Sequence, residues 1–341
     1  MKSTGELSFN RRAWILFVTH LTVPTVFIEC ALEVEGKKLC VRRLFGVGVG
    51  GKPYDADEYD ATIVWVPSDY AFHGDKFTSP LRPLPTKNPA AVVRIPVYLC
   101  WKKALRSSGG NPMLPSVYGS YGVCCDVVFE NERLSLLDCG FVWGFAAVCG
   151  GSELGAAWRK TGCGLQRATS VKDFVSVSFY VQETGWCAAG QLVTHGSSAG
   201  VFVATAAMCV APSLPLAVIA LVPCVDCLTT LMDDILPLTV SNWEEFGNPR
   251  DDADAYRLLL LTAWHDTRVG FWESLAFTAR LRAREMEEGA ATRWRVLLHH
   301  CEFGAGHNGS SGRYDRLRET AREYAFALLI QQSKGTFRAD A

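Results

Sequence analysis

Residues 194–201 read "THGSSAGV", two adjacent serines between glycines. Gly196-Ser197-Ser198-Ala199-Gly200 fits the pattern G-x-S-x-G with Ser198 at its centre. The residues "QLV" at 191–193 precede it and the run "AGVFVATAAMCV" follows, so strand, sharp turn and helix are expected in that order. The sharp turn requires small flanking residues, and it lifts the hydroxyl to a helix N-terminus. A plain glycine turn is the other reading of these five residues. A hydroxyl is a poor nucleophile until a base takes its proton. Downstream acids are Asp226, Asp233, Asp234, Asp251, Asp252, Asp254 and Asp266. Asp266 stands just after the apolar run "YRLLLLTAW", where the acid of a Ser…Asp…His order belongs. His299 and His300 end the run "WRVLLHH", whereas His307 lies in the glycine-rich "FGAGHNGSSG" before the last helix. His307 is the preferred base, with Asp266 orienting its ring and stabilising the imidazolium.

The elements that must hold these three side chains can be read from periodicity. Apolar strand-like runs at 141–148, 216–222, 256–264 and 294–300 alternate with helical stretches at 170–185, 272–289 and 316–332. Continuous apolar strands interleaved with amphipathic helices predict a mostly parallel sheet with helices on both faces. Chemistry in such folds sits at the carboxyl ends of the strands. The first part differs. Residues 13–42 predict short antiparallel strands with a hairpin at Glu35-Gly36, "GVGVGGKP" is a break, 67–90 is a proline-rich loop and 92–101 a strand.

Composition narrows the function classes. A chain of 341 residues with 49% hydrophobic content can bury one sizeable core. A net charge of −1 and the lack of a long basic run argue against a nucleic-acid partner. The apolar run after Arg11-Arg12 is too short for a membrane span and is not read as a signal peptide. Thirteen cysteines, two of them adjacent, suit free thiols in a reducing compartment, and Cys224-x-x-Cys227 alone is a weak metal signal.

Seven stretches occur in order: "GNPMLPSVYGSYG", "RLSLLDCGFVW", "GGSELGAAW", "GSSAG", "ILPLTVSNWEEFGNP", "WHDTRV" and "AGHNGSSGRY". Together they resemble the oligopeptidase B branch of the prolyl oligopeptidase family of serine peptidases, over about residues 105–330. The resemblance implies an α/β-hydrolase catalytic domain at 105–335, its N-terminal segment and linker at 53–104, and a β-rich propeller remnant at 1–52. It implies a cytoplasmic endopeptidase that needs no metal or cofactor, binds neither membrane nor nucleic acid, and cuts short peptides after Arg or Lys. Carried over, Ser198 is the nucleophile, Asp266 the orienting acid and His307 the base. The Tyr118 hydroxyl and the Ala199 backbone N–H form the oxyanion site, and Arg268 grips a substrate carbonyl.

The chain departs from that pattern in the acids that recognise a basic side chain. Asp126 keeps the first place of one pair while Val128 takes the second, and Asn242 replaces the main glutamate of the other pair while Glu244 keeps its second place. A guanidinium is best met by a bidentate carboxylate, so the basic preference should weaken. Glu244 and Glu245 read alternatively as a charged helix face. Cys149 replaces an arginine, Val201 replaces a glycine and should crowd the elbow, and the interval from 249 to 265 is short. Too few residues precede the catalytic part for a complete propeller, at about 40 to 50 per blade. Self-association or a partner is expected to cover the face so left open. Three readings follow: a peptidase of altered specificity, a catalytically impaired relative, and an ester hydrolase using the same triad.

Overall fold

The structure, a computed structural model, describes residues 13–33, 38–46, 54–72, 93–226, 245, 257–287 and 296–332. Among these, the aromatic and β-branched N-terminal run forms an antiparallel sheet of β1 (Ala13–His20), β2 (Val23–Glu33) and β3 (Lys38–Gly46). Glu33 pairs with Lys38, so the expected turn at Glu35-Gly36 lies outside the described residues but between paired strands. The β1–β2 turn is what ties this sheet to the rest. Leu21 packs against Tyr59, Cys100 and Leu137, the Tyr54 hydroxyl donates to the Thr22 carbonyl, and the Phe129 N–H donates to Thr19 Oγ1 at 3.3 Å.

The main sheet has eight strands among the described residues: β4 (Tyr59–Pro67), β5 (Arg94–Lys102), β6 (Asn111–Val117), β7 (Val142–Ala146), β8 (Cys187–Ser197), β9 (Ala217–Leu221), β10 (Arg257–Ala263) and β11 (Val296–Glu302). Their order is β11-β10-β9-β8-β6-β7-β5-β4. All neighbours from β11 to β7 are parallel, and β5 and β4 add antiparallel at one edge. This is the α/β-hydrolase arrangement the sequence leads one to expect. Two strands, β4 and β6, are not predicted. β4 lies in the stretch read as linker, and β6 carries Pro112 and Pro115, which argue against a central strand.

Six helices flank the sheet among the described residues: α1 (Asn131–Asp138), α2 (Ala156–Lys160), α3 (Ala168–Glu183), α4 (Ala199–Val210), α5 (Phe271–Glu287) and α6 (Arg313–Gln332). The period of two in β8 decides which face each residue serves. Leu192 joins Phe174, Val177, Val203 and Leu281 in the core under α3, α4 and α5. Val193 joins Leu136, Phe326 and Ile330 in the core under α1 and α6. Burial of each such side chain stabilises by about 1.5–3 kcal/mol. Nothing among the described helices is long and apolar enough to cross a membrane.

Cys149 stands beside a buried acid. Asp173 of α3 is 1% exposed and accepts the Cys149 backbone N–H at 3.1 Å. Burial pushes its carboxyl up from 3.8 to about 6, against the pull of its hydrogen bonds. A raised folded value means that the fold favours the neutral acid. The stabilisation is full below about pH 4 and is lost as pH rises through about 6, a span worth about 3 kcal/mol. Asp173→Asn should therefore gain on wild type by up to that amount as pH rises from 4 to 7. Urea unfolding of both proteins across this range checks it, and a pH-independent difference would refute it.

Candidate active site

β8 runs into α4 through a sharp elbow at Ser198, whose φ of 51° and ψ of −122° lie outside helix and strand. A non-glycine residue held there costs on the order of 1–3 kcal/mol and persists only if its surroundings fix it. They do so from two sides. The Ser198 N–H donates to the Leu221 carbonyl of β9 at 2.8 Å, and the Ser198 carbonyl accepts from Val201 N–H at 3.0 Å. Glycine is required on both flanks by close approach. A Cβ on Gly196 would lie 2.7 Å from the Gly200 oxygen, and one on Gly200 would collide with the Val117 carbonyl. Val201, expected to crowd the turn, takes its place in the core under α4. Ala199 opens α4, almost fully buried.

The candidate acid and base come from neighbouring loops. Asp266 follows β10, with its side chain 1% exposed. Its Oδ1 accepts the N–H groups of Arg268 at 2.8 Å and Val269 at 2.9 Å. His307 follows β11, and its Nδ1 lies 2.8 Å from Asp266 Oδ2 and 3.0 Å from Oδ1. The two loops are stitched together by His265 N–H to Ala305 O at 3.1 Å and Trp264 N–H to Glu302 O at 3.0 Å. Trp264 also stacks on Phe271. The neighbouring candidates His299 and His300 have other partners. His299 Nε2 is 3.2 Å from Thr262 Oγ1, and His300 Nε2 is 3.5 Å from Glu302 Oε2.

Ser198, His307, Tyr118, Ala199 and Arg268 line one cavity of about 1130 Å³. Tyr118 ends the approach from β6. Burial raises its hydroxyl above the ordinary tyrosine value, Cys125 and Glu245 adding to this and Arg167 and Arg268 opposing it. The phenol is thus kept as a donor through neutral pH. Asp126 reaches the same cavity from an exposed position. Asn242, Glu244 and Cys227 lie outside the described residues, as do residues 249–256 of the shortened interval. Their neighbour Glu245 is described and is 3% exposed, which rules it out as part of a charged outer face.

One cluster in the cavity is not anticipated from sequence. Ser116 Oγ lies 2.9 Å from His195 Nδ1, and His195 Nε2 lies 3.4 Å from Glu323 Oε2 of α6. Ser116 stands two residues before Tyr118 and His195 three before Ser198, so their contact joins β6 and β8 just beneath both loops. The alternation of the two strands, once paired, is the signal that would have found it.

A model of the prolyl oligopeptidase family matches residues 128–333, more than half of the chain. The chain belongs to the prolyl oligopeptidase family. Family relatives agree. Dipeptidyl aminopeptidase BI of Pseudoxanthomonas mexicana is 32% identical over 333 residues, covering 92% of this chain and 42% of that protein. Protease 2 of Moraxella lacunata is 31% identical over 253 residues, covering 69% of this chain and 36% of that protein. Oligopeptidase B from Leishmania major superposes with a TM-score of 0.77 at 25% identity, covering 96% of this chain and 43% of that one. Oligopeptidase B from Trypanosoma brucei with covalently bound antipain gives 0.74 at 25% identity, covering 96% and 46%. The chain therefore spans less than half the length of these members of the prolyl oligopeptidase family.

Proposed function

We propose that the chain is a serine-type endopeptidase of the oligopeptidase B kind, cutting short peptides after Arg or Lys with a weakened basic preference. The observation that carries this reading is that His307, 2.8 Å from Asp266, shares one cavity with a hydroxyl at a strained elbow. Ser198 Oγ attacks the scissile carbonyl while His307 takes its proton. Tyr118 OH and Ala199 N–H donate to the oxyanion. His307 then protonates the leaving amine, and a water admitted by the same base hydrolyses the acyl-enzyme. Arg268 grips a substrate carbonyl further along the chain. Asp126 and Glu244 each offer one carboxylate to the basic side chain, and Asn242 offers only a neutral amide oxygen, about half as strong a partner.

The cytosol is the proposed compartment, on the strength of thirteen cysteines.

Turnover of peptide amides that differ at P1, each blocked or with a free amino group, tests the reading, alongside the matching esters and a serine-directed inhibitor. Inhibitor-sensitive cleavage of blocked Arg and Lys amides, with only a modest lead over other residues, is expected. Cleavage confined to free-amine dipeptidyl amides would replace the endopeptidase with a dipeptide-releasing enzyme. Ester turnover alone would make it an ester hydrolase, and folded protein without either would be the impaired relative. Tyr118→Phe should lower kcat about 10²–10³-fold at little change in KM, because it removes one oxyanion donor. An unchanged kcat would remove Tyr118 from the mechanism.

A further inference from the structure

We infer that Arg167, with Glu245 as its counter-ion, is the positioning residue that aims the Tyr118 hydroxyl, an inference that rests on Tyr118 being an oxyanion donor. The chain leaving β6 turns back on itself with positive φ at Gly119 (58°), Tyr121 (55°) and Gly122 (65°). A left-handed aromatic residue such as Tyr121 is held only where the surroundings over-determine it. Two buried charges, Arg167 and Glu245, are among those surroundings. Arg167 precedes α3, with its side chain 2% exposed. Its Nη1 donates to Gly119 O at 2.5 Å and to Gly162 O at 3.2 Å, and its Nη2 donates to Ser120 Oγ at 2.5 Å. Glu245 Oε1 lies 3.5 Å from the same Nη1 and accepts the Tyr121 N–H at 2.7 Å. Residues 119, 120 and 121, the three that follow the catalytic tyrosine, are thus each fixed by one member of the pair.

The same cation reaches the second donor. The guanidinium carbon is 5.1 Å from the ring centre of Phe202, in the first turn of the helix that opens with Ala199. Both oxyanion donors are in this way referenced to one planar group. Neither Arg167 nor Glu245 lines the cavity, so neither touches substrate. A buried ion pair is weak evidence for stability, because desolvation offsets the attraction. Its use here is geometric: a rigid fork meets two carbonyls, a hydroxyl and a carboxylate at once, which a lysine ammonium cannot reproduce.

The test is kcat and KM on a peptide amide for Arg167→Lys and Ser120→Ala, each alone and combined with Tyr118→Phe, with melting temperatures alongside. Arg167→Lys should lower kcat about 10- to 100-fold at constant KM, the effect of a displacement near 1 Å. Ser120→Ala should cost about fivefold, the worth of one hydrogen bond. Both losses should shrink to under twofold where Tyr118 is already phenylalanine, because nothing is left to aim. Equal losses in both backgrounds would overturn the inference alone. A silent Tyr118→Phe would instead overturn the reading of the tyrosine, and the inference with it. If Arg167→Lys does not fold, Ser120→Ala decides by the same comparison.

Discussion

Ser198→Ala should lower kcat on a peptide amide by about 10⁶-fold and remove all labelling by a fluorophosphonate. The size follows from what the substitution leaves behind. The oxyanion donors and the binding cavity survive, and they sustain a residual rate of about 10³–10⁴ over water, but no covalent intermediate can form. The competing nucleophile is Ser197, the last residue of β8, which also lines the cavity. Backbone geometry separates the two. Ser197 is still paired in the sheet, opposite Leu221, whereas Ser198 alone has φ of 51° and stands at the head of α4. Only the second serine therefore leaves the sheet pairing and stands at the elbow. Ser197→Ala should keep both labelling and turnover. Labelling that persists in Ser198→Ala and disappears in Ser197→Ala would reverse the assignment and break the elbow argument.

How far such a site can be read from sequence depends on what holds each residue. Ser198, Asp266 and His307, the proposed nucleophile, acid and base, are legible because such chemistry leaves a mark in the chain. The elbow needs small neighbours at 196, 199 and 200, the acid follows an apolar strand, and the base sits in a glycine loop ahead of a helix. The main sheet is legible where strands are largely apolar runs, as in β7, β9 and β10. β6 is not, because two prolines in seven residues contradict a central strand. The fold accommodates the first of them by shifting the β6–β8 register between Asn111 and Met113, around Pro112. That shift is a property of the pair of strands and has no signature in either one. Arg167 and Glu245 are hidden for a similar reason. Their partners are mostly backbone atoms of a distant turn, 48 positions away for Gly119 and 124 for Tyr121. A charged residue that binds backbone groups far along the chain has no periodicity to betray it, so Glu245 reads as one more charge on a helix face until its burial is known.

Asp266→Asn should lower kcat at neutral pH by about 10⁴-fold while the protein keeps its fold and its substrate affinity. The two substituents differ by one atom, and the hydrogen bonds around them decide the result. Asp266 Oδ1 accepts the N–H groups of Arg268 and Val269, at 2.8 and 2.9 Å, so in the variant the amide oxygen takes this position. The amide nitrogen then faces His307 Nδ1 in place of Oδ2, which lies 2.8 Å away. An NH₂ group donates, so Nδ1 must become the acceptor and the ring proton must move to Nε2. An imidazole protonated on Nε2 cannot take a proton from Ser198, and the base is lost although every heavy atom stays in place. The imidazolium formed in the transition state also loses its buried counter-charge. The backbone hydrogen bonds that fix the loop survive, which is why melting temperature and KM should change little. A loss of less than tenfold, in a variant that melts with wild type, would mean that His307 does not depend on this carboxylate for its tautomer.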